Sequence, residues 1–133
     1  MLIFAIETSC DETSAAVIKS ENGKVEILSN IVSSQIDIHR EYGGVVPEIA
    51  AREHVKNINW VIDDSLRLAN IKPEKIDLMA VTAGPGLITS LIVGVEAAKA
   101  LSLAWQKPLL PVNHIFAHLA ANFASGEIAF PAV

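Results

Sequence analysis

Two imidazoles stand four positions apart in Pro111-Val112-Asn113-His114-Ile115-Phe116-Ala117-His118, where a short apolar strand gives way to a predicted helix. Residues at i and i+4 of a helix point to the same side, so both rings can serve one metal ion. Two ligands do not complete a site, and a third, of carboxylate type, has to come from elsewhere. The glutamate that follows the first histidine in the metalloprotease pattern His-Glu-x-x-His is replaced here by Ile115. Spacing alone fits equally well with two helix histidines that merely share a face.

Other polar groups have blander readings. Gly84-Pro85-Gly86 lies between a strand and a helix, but it lacks the Lys-Ser/Thr ending of a P-loop and the spacing of a dinucleotide turn. It reads as a structural turn. Glu48, Arg52 and His54 fall on one predicted helix and read as its solvated face rather than as a catalytic cluster. The polar run from Glu7 to Ser14, with Asp11 and Glu12 at its centre, reads on its own as the solvated tip of a hairpin.

At 133 residues the chain fits one domain with a real core. Just over half of it, 51%, is apolar, only 19% is charged, and the mean hydropathy is +0.41. That is more apolar side chain than a lone globule of this size hides, so a partner surface is expected. The net charge is -5 and the ten basic residues are scattered singly, leaving no electrostatic footprint for nucleic acid. A single cysteine, Cys10, excludes an internal disulfide, and the N-terminus has neither the basic flank nor the cleavage site of a secretory signal. A cytoplasmic location is the expectation. The uncharged stretch from Leu78 to Val95 is long enough to raise a membrane span, but the Gly-Pro-Gly break and its hydroxyl residues make it a buried strand, a turn and a buried helix.

Strands are expected at Leu2–Ile6, Ala15–Ile18 and Lys24–Ser33, with Asn22-Gly23 as the turn between the last two. Pro47 suits the first turn of a helix running to about Asn70, with Val55, Ile58, Ile62, Leu66 and Ala69 on its core face. Val61 and Leu68, seven apart, mark a second stripe facing outward. Asp77–Thr82 is a fourth strand, and Ile88–Gln106 is a helix with apolar residues nearly all round. A fifth strand covers Leu109–Val112 and a third helix His114–Ala124. The order β-β-β-α-β-α-β-α implies an α/β fold, one mixed sheet with helices packed on it. The last residues, Ile128–Val133, read as the entry to a further strand, so the chain is expected to be the first part of something longer.

Four motifs, in order, carry a resemblance that covers the chain from end to end. They are Glu7-Thr8-Ser9-Cys10-Asp11-Glu12-Thr13-Ser14, Gly43-Gly44-Val45-Val46-Pro47-Glu48-Ile49-Ala50 followed by Arg52 and His54, Gly84-Pro85-Gly86-Leu87, and Asn113-His114 with His118. Together they resemble the tRNA N6-adenosine threonylcarbamoyltransferase family, formerly labelled O-sialoglycoprotein endopeptidase. The resemblance implies an actin-like fold, shared with sugar kinases and heat-shock ATPases, of which this chain is the first of two lobes. It implies transfer of a threonylcarbamoyl group from its adenylate to N6 of adenosine 37 in tRNAs that read codons starting with A.

His114 and His118 match the family's metal ligands, for a divalent ion that is iron before zinc. The third ligand, an aspartate, and a substrate-contacting Ser-Gly-Gly loop lie beyond Val133. In actin-like proteins the first hairpin tip faces phosphate, which assigns Thr8, Ser9 and Thr13 to the nucleotide, threonylcarbamoyl-AMP or ATP. Asp11 and Glu12 repel a phosphate and take the catalytic roles, ordering a water or positioning the target amine. The implied partners are tRNA, an accessory ATPase subunit, and a smaller paralogous subunit or a second copy docked on the two apolar helices. One departure stands out, since the family usually carries Gly immediately before the second histidine and this chain has Ala117.

Two rival functions remain at the level of sequence. A metallohydrolase fits the older label but lacks a base next to His114. A non-catalytic scaffold fits the fold, but such a paralogue has no need of the histidine pair. The isolated lobe, holding half of a metal site, is expected to be inactive.

Overall fold

The chain was analysed as a computed structural model that describes residues 1–124. Three antiparallel strands open it: β1 (Leu2–Glu7), β2 (Glu12–Glu21) and β3 (Lys24–Ser34). Asn22 and Gly23 turn β2 into β3 with positive φ angles of 51° and 76°, the pairing a two-residue hairpin demands. A short helix α1 (Ile36–Arg40) follows, then α2 (Pro47–Ala69), β4 (Leu78–Gly84), α3 (Ile88–Trp105), β5 (Leu109–Asn113) and α4 (His114–Ala124). A 3-10 turn at Pro73–Lys75 leads into β4.

The five strands form one mixed sheet in the order β3-β2-β1-β4-β5, with β1, β4 and β5 parallel to one another. This is the expected α/β arrangement, an actin-like lobe with flanking helices. Its parallel strands all end at the same edge, where Glu7, Gly84 and Asn113 stand. Helix α2 packs on β2 and β3, and α3 packs on β4 and against α2. The core between them is built on Phe4, Val17, Ile58, Val61, Ile76 and Met79, with Trp105 set edge-on to Phe4 at 5.7 Å.

Helix ends follow local chemistry. Pro47 opens α2 at a position where its missing N–H is not needed, while Asn70 and Gln106 close α2 and α3 in the left-handed conformation. The stretch Leu78–Val95 is a strand, a turn and a helix, but the helix is not buried as expected: within α3 only Ser90, Gly94 and Ala98 are fully covered. Helix α3 has the length and mean hydropathy, 18 residues at 1.4, that a bilayer span requires, but it is one wall of this α/β core.

Four further expectations are corrected. Helix α1 had no signal in the sequence, since five residues are too few to show a period. Val61 does not face outward: it is completely buried, and so is His54, which is no part of a solvated face. Val55, assigned to the core, is 61% exposed. The buried face of α2 is Ala50, His54, Ile58, Val61, Ile62 and Ser65, and its polar members turn the true face away from the one that apolar residues alone define. Expectations for Ile128–Val133 lie outside the described residues.

Candidate metal centre

Helix α4 starts directly at the end of β5, and Asn113 makes the junction. Its side-chain oxygen accepts the main-chain N–H groups of Ile115 at 2.9 Å and Phe116 at 3.2 Å, so the helix is capped and His114 is fixed in its first turn. One turn later His118 stacks its ring edge-on to that of His114, with centroids 4.4 Å apart. The two Nε2 atoms are 3.1 Å from each other. Two nitrogens bound at about 2.0–2.1 Å to one tetrahedral ion are about 3.3–3.4 Å apart, so the pair is within a small adjustment of shared coordination.

The far side of the His114 ring is held from β1. Its Nδ1 lies 3.2 Å from Glu7 Oε2 and 3.1 Å from Ser9 Oγ. A carboxylate only accepts, so Nδ1 carries the hydrogen and Nε2 keeps its lone pair free for a ligand. A carboxylate behind a ligating histidine is the arrangement that orients the ring and raises its basicity. Burial pushes the Glu7 carboxyl upward, but hydrogen bonds from the Ser9 hydroxyl, Thr82, the Ser9 N–H and His114 outweigh it and hold the pKa below the usual glutamate value. The group is therefore an anion at neutral pH. Glu7 was not singled out in the sequence, where it read as the start of a solvated hairpin tip.

The donor set thus fits a divalent ion on one side only. Among the described residues no group of three or more His, Cys, Asp and Glu is arranged around a common point. His114 and His118 offer two nitrogens, and an ion held there would need further donors.

The β1–β2 loop passes next to the histidines, and its residues divide sharply. Thr8 is buried, its hydroxyl donating to the Ser90 carbonyl at 2.8 Å and accepting the Gly94 N–H at 3.1 Å. Thr13 is buried too, against His54 at 2.7 Å. Both hydroxyls are therefore spent within the protein, and only the main chain beside them is left to face a nucleotide. Ser9 keeps its hydroxyl on His114. Asp11 is half-buried, and Glu12, the first residue of β2, is exposed. The structure brings Ser9, Glu7, His114 and His118 together and leaves Glu12 on the surface.

The Gly84-Pro85-Gly86 turn serves this loop. The Leu87 N–H donates to the Ser9 carbonyl at 2.8 Å, and a Cβ on Gly86 would lie 2.6 Å from that same oxygen. Only glycine lets the turn clasp the loop so closely. The structural reading of this motif is the one the geometry supports.

The arrangement defines a class of protein: a mixed α/β sheet with a pair of converging histidines at the carboxyl edge of its parallel strands. The family model TsaD, tRNA N6-adenosine threonylcarbamoyltransferase, matches residues 26–133, and the chain belongs to that family. Relatives bearing that name include one from Staphylococcus epidermidis, 57% identical over 98% of this chain and 37% of its own length. Others come from Anaeromyxobacter, at 55% identity over 98% and 39%, and from Fusobacterium nucleatum, at 55% over 100% and 38%.

The chain therefore spans less than two-fifths of the length of these curated relatives. Among solved structures, it is similar to YeaZ from Pseudomonas aeruginosa, with a TM-score of 0.60 and 20% identity over 85% of this chain and 45% of the other. A Pseudomonas aeruginosa protein described as similar to peptidase YeaZ gives 0.65 and 23% over 95% and 50%. Thermus thermophilus RuvC gives 0.57 and 15% over 90% and 70%. These likenesses concern the fold.

Proposed function

We propose that this chain is the N-terminal lobe of a cytoplasmic enzyme that transfers a threonylcarbamoyl group from threonylcarbamoyl-AMP to N6 of adenosine 37 in tRNA. The observation that carries the reading is the convergence of the His114 and His118 Nε2 atoms at 3.1 Å, with Glu7 fixing the tautomer of the first. Completed by an aspartate from the second lobe, the donors form a two-histidine, one-carboxylate set, which suits iron(II). The bound ion would supply Lewis-acid polarisation and an anchor for the acyl group.

The chain's own residues bind and orient. His114 and His118 hold their lone pairs on one point, and Glu7 keeps His114 from rotating. The Ser9 hydroxyl shares that ring's Nδ1 with Glu7. The Asp11 carboxylate accepts a hydrogen from the exocyclic amine of the target adenine. As N6 bonds to the carbamoyl carbon, the bond from that carbon to the phosphate oxygen breaks and AMP leaves with the electron pair. Glu12, exposed at the start of β2, is placed to meet the incoming RNA side rather than the acyl group.

A protein partner takes the exposed stripe of α3. Ile88, Ile92 and Leu103 are 75%, 53% and 83% exposed and fall on the side of the helix opposite its buried residues Ser90, Gly94 and Ala98. A smaller paralogous subunit or a second copy of this chain would cover it, and the accessory ATPase subunit of the modification complex would join the assembled enzyme.

The test is a chimera in which residues 1–133 replace the matching part of the Staphylococcus epidermidis relative. It should transfer the threonylcarbamoyl group to tRNA, while residues 1–133 alone should not. Full transfer by a chimera lacking both histidines would sink the reading.

A further inference from the structure

His54 on the inner face of α2 is 0% exposed and His39 in α1 is 3% exposed, and neither belongs to the metal site. The Cys10 carbonyl only accepts, so its 3.0 Å contact with His54 Nε2 places a hydrogen on that nitrogen. Nδ1 is then the acceptor, taking the Thr13 hydroxyl at 2.7 Å with the Gln35 amide nitrogen 3.5 Å away. The Gln35 amide oxygen accepts from His39 Nε2 at 3.0 Å, and His39 Nδ1 accepts the Val46 N–H at 3.4 Å. These contacts commit each ring to one tautomer. Burial holds the His54 pKa below the usual histidine value, against the pull of the Cys10 carbonyl and of Glu7 and Asp11.

What this network grips is the loop of the candidate site. The main-chain N–H of Gln35 donates to the Asp11 carbonyl at 3.0 Å, while His54 holds the carbonyl just before it. Two successive carbonyls are therefore pinned by two buried residues that touch each other. The peptide between Cys10 and Asp11 cannot rotate without leaving a buried polar group unpaired. That peptide separates Ser9, bonded to His114, from Asp11, which lines a cavity of about 380 Å³ together with Ile36, His39, Arg40, Gly43 and Val45.

We propose that His54 is a positioning residue for the site: through the Cys10 carbonyl, and with Gln35, it sets how Ser9 meets His114 and how Asp11 meets that cavity. The inference rests on the reading of the β1–β2 loop as part of the active site. A core polar residue with no such role would affect stability and nothing at the loop.

The chain supplies its own probe. The buried Gln35 main-chain N–H, which donates to the Asp11 carbonyl, exchanges with solvent only when the gripped peptide opens, so its hydrogen-exchange rate reports loop opening. Nitrogen-15 NMR of the histidine rings reports tautomers directly. In the unaltered chain His54 should show the neutral form protonated at Nε2.

His54→Leu should raise Gln35 amide exchange about tenfold, the ratio set by one lost internal hydrogen bond, and should shift the His114 ring signals. His54→Gln, whose amide N–H can reach the Cys10 carbonyl, should bring exchange back to within about twofold. A His54→Leu chain that melts earlier but keeps its Gln35 exchange rate and His114 signals would overturn the proposal. So would a His54 ring protonated at Nδ1. Should His54→Leu fail to fold, Thr13→Val removes the donor to Nδ1 but leaves the Cys10 carbonyl on Nε2, so the Nε2-protonated tautomer should persist. Loss of that tautomer there would also overturn it. None of these readouts needs tRNA or metal, so an inactive chimera and a failed positioning role are told apart.

Discussion

The chain has four histidines, and they form two pairs with opposite economies. His54 and His39 lie in the core with every ring nitrogen engaged by a protein group. His114 and His118 lie at the sheet edge, His118 exposed, with their Nε2 atoms turned toward each other at 3.1 Å. A histidine whose valences are all met inside the protein holds the architecture still. One whose nitrogen faces a neighbour at the surface is open to a ligand, as proposed above. Burial and bonding, more than residue type, separate the two roles.

The sharpest way to break this contrast is to remove the edge pair. His114→Ala or His118→Ala in the chimera should reduce transfer by at least about a hundredfold, measured on tRNA, because an ion bound by fewer donors is lost. The same changes should leave the melting temperature of the chain almost unaltered. Glu7→Gln keeps both ligands and loses the charge behind one, so metal affinity, measured by competition with a chelator, should fall about 10–100-fold.

The core pair should behave in the opposite way. His54→Leu strands the Thr13 hydroxyl and the Cys10 carbonyl and should cost about 2–4 kcal/mol of stability in a denaturant titration. A smaller effect is its pH dependence. The folded-state pKa of His54 is depressed, so the unfolded chain binds a proton more readily, and stability is full above the unfolded value of about 6.5 and is lost as pH falls below it. His54→Gln should flatten the melting temperature between about pH 6.5 and 5, while the Glu7 contribution, also from a depressed pKa, is lost only below about pH 4.5.

The smallest expected effect lies away from both pairs. Ile92→Asp should abolish association with a paralogous subunit or second copy in sedimentation while shifting the melting temperature little, since the residue is already exposed. Val61→Asp would unfold the chain instead, because it places a carboxylate in the core.

Strands β1, β3, β4 and β5 and helices α2, α3 and α4 were legible because apolar spacing, turn dipeptides and Pro47 all agree on them. β2 is longer than its apolar run Ala15–Ile18, since Glu12, Thr13 and Ser14 pair in the sheet through the backbone, which residue polarity does not report. The edge histidines were legible from their i, i+4 spacing. Glu7 and His54 were not, because the first gains its role from a residue 107 positions away and the second is a polar residue on a buried face. Long-range partners are what a linear pattern lacks. The same blindness put Val61 outside and Val55 inside, for a helix face that includes His54 and Ser65 cannot be located by counting apolar side chains.

The Asn22-Gly23 turn closes the end of the β2–β3 hairpin remote from Glu7, since Leu2 rather than Glu7 pairs with Lys19. A fluorescent reporter or affinity tag spliced between those two residues would hang from the far rim of the sheet. It would give the chain a handle for purification, crosslinking or imaging that leaves the rim with His114 and His118 undisturbed.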